Sequence, residues 1–295
     1  MFVVFLIGLF SHLVGYILND IADIEVDKKS TELKQKPLVS GRISKKNALL
    51  IAIIGTIITY LLTIYYFPYI RTLLILIVVT FLAIIYNFYG KKIPGSDFIV
   101  AGTVAIFCLF GASTVNEPFS NLIYFVCLVL FFDVVFINVV EGGLKDVDHD
   151  YLSGAKTLAT VAGVKVREGE LFITKKFLTF AYSIRIIYIL MIILLGFDPE
   201  IDIWLSNNYV LIILVIILMF LVLFSSAIFL HQKVFDRSKM KKIYGGINAA
   251  TGVLLIVMVY PIIGWEIALF LIIYPVIWYS VFNKMLYGKA YQPGV

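Results

Sequence analysis

The chain has 295 residues, of which 61% are hydrophobic and 15% charged, with a mean hydropathy of +1.00. Soluble domains carry about 25% charged and 45–50% apolar residues, so this chain lacks the polar groups to cover a water-facing surface. An ordinary soluble enzyme, a disordered chain and a disulfide-rich secreted module are excluded, and the net charge of +5 does not by itself point to nucleic acid.

A hydrocarbon core of about 30 Å needs about 20 apolar residues in helical form. Nine stretches qualify in chain order: roughly 1–20, 47–67, 71–89, 98–116, 122–142, 177–197, 208–230, 245–264 and 267–285. Their apolar runs are continuous rather than alternating, which argues against a β-barrel. Cys108 and Cys127 fall inside such runs and read as small buried hydrophobes, with no metal or disulfide pattern. Pro261 and Pro275 are expected to kink the late helices. The expected architecture is all-α: a polytopic bundle of about nine transmembrane helices, forming a single domain over 1–295.

The basic residues set an orientation. The links after the first, third, fifth and seventh spans and the end of the ninth hold 22 of the 24 Lys and Arg residues, leaving only Arg71 and Arg185 elsewhere. The opposite links, such as Asp198 to Asp202, are acidic or neutral. Nine crossings with the basic face in the cytoplasm follow, which puts Met1 outside. The first span lacks the basic leader and small-residue cleavage site of a signal peptide.

Two acidic clusters stand out from ordinary loop residues. Asn19, Asp23 and Asp27 continue the first span at intervals of four, so a continuing helix puts them on one face, with Asp20 beside them. Asp146 and Asp150, again four apart, follow the fifth span. Both clusters fall at cytoplasmic helix ends. Like charges at this spacing repel, and the helix macrodipole disfavours anions at a C-terminus. A divalent cation would compensate both costs. Oxygen-only donors suit Mg²⁺, which is typically held by one or two carboxylates plus substrate phosphates. The other reading is a pair of acidic interfacial loops with capping Asn and Asp.

The spacing Asn19-x-x-x-Asp23-x-x-x-Asp27, followed about 120 residues later by Asp146-x-x-x-Asp150, resembles the paired aspartate motifs of the UbiA family of membrane-embedded prenyltransferases. Lys36-Pro37-Leu38-Val39-Ser40-Gly41-Arg42-Ile43-Ser44 is similar to the family's RPLxxGxxS, with Lys36 in place of the usual Arg. Gly154-Ala155-Lys156-Thr157 is similar to its GxKT, and Tyr86 with Lys91 five residues on to its Y-x-x-x-x-K. The resemblance covers nearly the whole chain. In the family the first motif ends the second membrane helix. Only 18 residues precede Asn19 here, so the family's first helix is expected to be missing.

The resemblance implies a helical bundle around a central cavity open at the cytoplasmic side. It implies Mg²⁺-dependent transfer of a prenyl group from an allylic prenyl diphosphate to a lipophilic acceptor, releasing diphosphate. Asn19, Asp23 and Asp27 would hold one Mg²⁺, and Asp146 and Asp150 a second. Asp23 and Asp150 also count as catalytic. Asp20 would make a water-mediated contact or deprotonate the acceptor. Lys91 and Lys156 would bind diphosphate, with Lys36 and Arg42 as further candidates. Tyr86 would stabilise the allylic cation through its ring. Asp148 and His149 read as solvated.

Asp133, Asn138 and Glu141 lie on the fifth span, and intramembrane polar groups carry a functional hypothesis by default. Asn138 and Glu141 share a face and are candidates for steering the acceptor or a phosphate-binding Lys, while Asp133 has Arg185 as a candidate structural partner, a pairing the sequence leaves open. His12 reads as a packed or cavity-edge residue. The acceptor leans to geranylgeranylglycerol phosphate, as in ether-lipid synthesis, or to an aromatic quinone precursor. The partners are these substrates and membrane lipid, with neither nucleic acid nor a protein partner indicated. A divalent-cation transporter or channel is the competing class, but its carboxylates belong near mid-membrane with inverted repeats, and no such repeat is evident. A CDP-alcohol phosphotransferase would need DG and AR between its aspartates, an arrangement this sequence lacks.

Overall fold

A computed structural model describes residues 2–28, 34, 36–90 and 93–287. Among the described residues, seven helices are long and apolar enough to cross a membrane. The chain is an integral membrane protein built almost wholly of helix. Its elements gather into two compact units, 1–134 with 149–161, and 135–148 with 162–295.

In the first unit, α1 (Phe2–Asp27) packs chiefly on α2 (Lys45–Tyr66) and further on α3 (Ile70–Tyr89), and α3 packs on α4 (Asp97–Ser113). Ser44 caps α2 by accepting from Asn47 N at 3.1 Å. The buried stripe of α2 is Ala48, Ala52, Gly55, Thr59 and Thr63, small residues one turn apart. Such a stripe lets membrane helices approach closely. The limit is reached at Gly55, where an added Cβ would stand 2.8 Å from Val14 Cγ2. Ile7, Leu76 and Phe110 join α1, α3 and α4 in one apolar cluster, and buried Thr72 donates to Ser113 O at 2.7 Å. α1 is thereby held along its length, and it carries the first acidic motif at its C-terminal end.

α5 (Asn121–Val135) continues through a π-helical segment, Phe136–Gly142, and the single turn α6 (Gly143–Lys145). Together they cover the 25 residues Asn121–Lys145, of which 121–134 belong to the first unit and 135–145 to the second. α7 (Val147–Ser153) leads back to the first unit, followed by the turn α8 (Leu158–Val161).

The second unit adds a feature absent from the helical expectation, a two-stranded antiparallel hairpin, β1 (Lys165–Arg167) and β2 (Glu170–Phe172), pairing Val166 with Leu171. Glu168 (φ 51°) and Gly169 (φ 80°) make its turn. α9 (Lys175–Leu195) follows, capped by Thr174, and buries Phe177, Ala181, Ile184, Arg185, Tyr188, Ile192 and Leu195. α10 (Tyr209–Leu230) packs on α11 (Arg237–Tyr287) and exposes Ile213, Ile217, Phe220 and Phe224, as a lipid-facing helix does.

The last two expected spans form one helical run, α11, broken at Gly264 (φ 76°, ψ 166°), a conformation essentially reserved for glycine. The departure from helical geometry falls three residues beyond Pro261. With α4 as a shorter apolar helix of 17 residues, this break accounts for nine apolar rods from seven long helices among the described residues.

Candidate active site

α1 runs unbroken to Asp27, so Asn19, Asp20, Asp23 and Asp27 lie within an arc of about 100° at 100° per residue. Asp27 is buried and the other three are half-buried. The Lys36 ammonium donates to Asp20 Oδ1 and to Asp27 Oδ2, each at 2.8 Å. Burial works against its charge. The hydrogen bonds and charges of the two aspartates outweigh that and hold the ammonium above the usual lysine range.

Local chemistry brings Lys36 there. Ser40 N donates to Lys36 O at 2.9 Å and Ile43 N to Pro37 O at 3.1 Å, and Gly41 takes a φ of 75° that a side chain would strain. The lysine–proline–glycine–serine motif is thus a compact turn ending in the cap of α2. It aims Lys36 back at α1. Arg42 is exposed and donates to Ser40 Oγ at 3.2 Å.

The second motif departs from the expected continuous helix. Asp146 terminates α6 (φ −105°, ψ 5°), while Asp150 lies inside α7. The i, i+4 relation is therefore broken between them. Asp146 N donates to Gly142 O at 3.0 Å, and Lys145 Nζ stands 3.1 Å from Asp146 Oδ2. Asp150 is buried, and its carbonyl accepts from Ala155 N at 2.9 Å. Gly154 (φ 72°) ends α7, Thr157 caps α8, and exposed Lys156 lies between them. Asp148, read as solvated from sequence, instead forms an ion pair with Arg237.

Tyr86, near the C-terminal end of α3, hydrogen-bonds the Asp97 carboxylate at the start of α4. It also interacts electrostatically with Asp23 and Asp150, one residue from each acidic motif. The structure thus gathers the tyrosine, Asp23 and Asp150 within the first unit. Asp97 escaped the sequence reading. Its only signal was a carboxylate opening an apolar helix soon after the Tyr86 segment. Lys91 lies outside the described residues.

In the second unit, the π-helical segment turns Glu141 wholly inward, to meet Arg185 at 3.9 Å. The Arg185 guanidinium lies 3.6 Å from the Phe136 ring centroid. π-Bulges re-aim side chains in this way and concentrate at functional sites. Asn138, on the same segment, is half-buried. His12 is exposed and sets its ring edge-to-face on Tyr16 at 4.7 Å. Among the described residues, no three His, Cys, Asp or Glu side chains form a metal cage by themselves.

Fold and site together define a polytopic helical membrane protein with two separate acidic motifs, each attended by lysine. A sequence model of the UbiA prenyltransferase family matches residues 1–243, and the chain belongs to that family. It is 32% identical over 170 residues to 4-hydroxybenzoate octaprenyltransferase of Francisella tularensis subsp. novicida, covering 56% of this chain and 57% of that protein. The chain therefore spans little more than half the length of that relative. It is 27% identical over 248 residues to digeranylgeranylglyceryl phosphate synthase of Saccharolobus solfataricus, covering 81% of this chain and 77% of that one.

Two solved structures share the fold at 15% identity. One is an apo UbiA homolog from Aeropyrum pernix K1, with a TM-score of 0.64 over 87% of this chain and 88% of the other. The second is a UbiA homolog from Archaeoglobus fulgidus bound to GPP and Mg²⁺, with a TM-score of 0.62 over 88% and 86%.

Proposed function

We propose that this protein transfers a prenyl group from an allylic prenyl diphosphate to a lipophilic acceptor at the cytoplasmic face of the membrane, releasing diphosphate. The observation that carries the reading is that Asp23 from the first acidic motif and Asp150 from the second both lie within electrostatic reach of Tyr86. The donor set suits Mg²⁺: it is all oxygen, as befits an ion that takes its remaining ligands from phosphate and water. The A. fulgidus homolog bound to GPP and Mg²⁺ supports the same choice.

Asn19, Asp23 and Asp27 would hold one Mg²⁺, and Asp146 and Asp150 a second. When bound, the metal neutralises charge on the departing diphosphate as a Lewis acid. The other roles belong to the chain itself. Lys36, Lys91, Lys156 and Arg42 offer cationic donors to the diphosphate oxygens as charge develops there. Tyr86, oriented by Asp97, presents its ring to the allylic cation. Asp20, released when Lys36 turns to the diphosphate, takes the acceptor proton directly or through water. Half-buried Asn138 is assigned to acceptor contact, and Glu141 supports it from the enclosed side with Arg185.

For the acceptor we favour geranylgeranylglycerol phosphate, because the digeranylgeranylglyceryl phosphate synthase alignment covers the larger share of this chain. The higher identity to a 4-hydroxybenzoate octaprenyltransferase keeps an aromatic acceptor as the second reading. Purified protein incubated with labelled geranylgeranyl or shorter diphosphates and each acceptor class tests the assignment. Prenylated glycerol phosphate is the expected product. Prenylation of the aromatic acceptor alone would reverse the preference, and no transfer to either would overturn the function.

A further inference from the structure

Asp146 occupies a weak point in the chain. It is the non-helical residue between α6 and α7, so helical hydrogen bonding does not fix its side chain on both flanks. The fixing comes from a residue 91 positions later, at the start of α11. Arg237 Nε donates to Lys145 O at 3.3 Å, and Arg237 Nη2 donates to Asp148 Oδ1. One planar guanidinium thus grips the residue before Asp146 and the residue two after it. The arginine side chain is only 11% exposed.

Arg237 is itself held on a frame. Leu171 N donates to Lys233 O at 2.7 Å and Phe235 N to Gly169 O at 2.9 Å, so the β1–β2 hairpin pins the segment entering α11. Asp236 then caps that helix, accepting from Lys239 N at 3.0 Å. A cation in the first turn of a helix opposes the macrodipole, so helix stability does not explain an arginine there. Its grip on 145–148 does.

We propose that Arg237 is a positioning residue: through Lys145 O and Asp148 it sets the orientation in which Asp146 presents its carboxylate to a divalent cation. This rests on the prenyl-transfer reading for the role of Asp146. Lys145, 3.1 Å from that carboxylate and 5.6 Å from the Tyr244 ring centroid, holds the oxygen until a metal takes it. Asp148 is then a support rather than a solvated bystander, and the hairpin becomes part of the active-site scaffold.

The test uses the full chain in detergent, with Mn²⁺ as the metal probe, inorganic diphosphate present and free Mn²⁺ read by electron paramagnetic resonance. Groups that orient metal ligands from behind cost about 10–100-fold in affinity when removed. Arg237→Ala and Asp148→Asn are each expected to raise half-saturation about tenfold. The double variant should be no worse than Arg237→Ala alone, because removing the arginine already breaks the link that Asp148 completes. Arg237→Lys should recover only part of the loss, since an ammonium lacks the fork that spans a carbonyl and a carboxylate. In turnover, the metal requirement rises while kcat at saturating metal changes less than about threefold, the split expected when lost affinity is restored by concentration.

Unchanged Mn²⁺ half-saturation in folded Arg237→Ala, or losses that multiply in the double variant, would overturn the proposal. If Arg237→Ala fails to fold, Asp148→Asn decides, because it keeps the arginine and its bond to Lys145 O. Mn²⁺ binding by the parent chain without prenyl transfer would sink the function reading alone, and the variants would still decide the positioning role. No Mn²⁺ binding by the parent chain would end both.

Discussion

Lys36→Met removes a charge while keeping the length of the side chain, and it isolates what holds the first acidic motif together. In the structure one ammonium serves two carboxylates at 2.8 Å each. Hydrogen bonds to charged groups contribute about 1.5–3 kcal/mol each. The Asp20 side chain is 36% exposed, so solvent screens most of its share. The Asp27 side chain is 7% exposed and would be left buried without this cation. Without Mg²⁺ we therefore expect a loss of about 2–4 kcal/mol, governed by Asp27.

At about 2 °C per kcal/mol for a chain of this size, thermal unfolding in detergent should fall by roughly 4–8 °C. Added Mg²⁺ and inorganic diphosphate should restore most of that, stabilising the variant more than the parent chain, because the metal replaces the missing cation. Turnover with prenyl diphosphate should drop about tenfold or more, as expected when one charged donor to the departing phosphate is removed. Equal unfolding temperatures without metal, or an equal gain from Mg²⁺ in both proteins, would refute this role for Lys36.

Chelation with EDTA should abolish prenyl transfer and excess Mg²⁺ should restore it, read as labelled product. Tyr86→Phe keeps the ring but removes the donor to Asp97; kcat should fall about tenfold as the ring loses its orientation, with the unfolding temperature moving by less than about 3 °C. Gly264→Ala forces a side chain into φ 76°, ψ 166° and should cost about 1–3 kcal/mol, read as a lower unfolding temperature. Arg185→Ala leaves Glu141 enclosed and should destabilise by about 3–5 kcal/mol; an unfolding temperature unchanged by that substitution would mean the pair carries no such weight.

The sequence carried the helices and the first motif clearly, because both depend on local periodicity. Asn19, Asp23 and Asp27 need only an unbroken α1 to share a face, and α1 is unbroken. The second motif was half legible. Its residues were evident, but the break at Asp146 was not, since α6 ends there without a glycine or proline to mark it. The β1–β2 hairpin is too short for its alternation to emerge from a polar link. Lys36, Asp97 and Arg237 took their places through contacts across the fold. Asp20 lies 16 residues before Lys36 and Asp148 lies 89 before Arg237, and no one-dimensional pattern encodes such pairings. The break in α11 was legible as the gap between the last two spans, but its residue was not: Pro261 marked the helix visibly, while the conformational freedom lay with Gly264.

Turnover of labelled prenyl diphosphate by the parent chain, Asp23→Asn and Asp150→Asn, with folding checked by thermal unfolding, addresses the shared role of the two acidic motifs most directly. We predict chelator-sensitive product from the parent and a loss of about a thousandfold or more in each variant, as for electrostatic groups that act on the reacting centre. Near-parental turnover in either folded variant would contradict it.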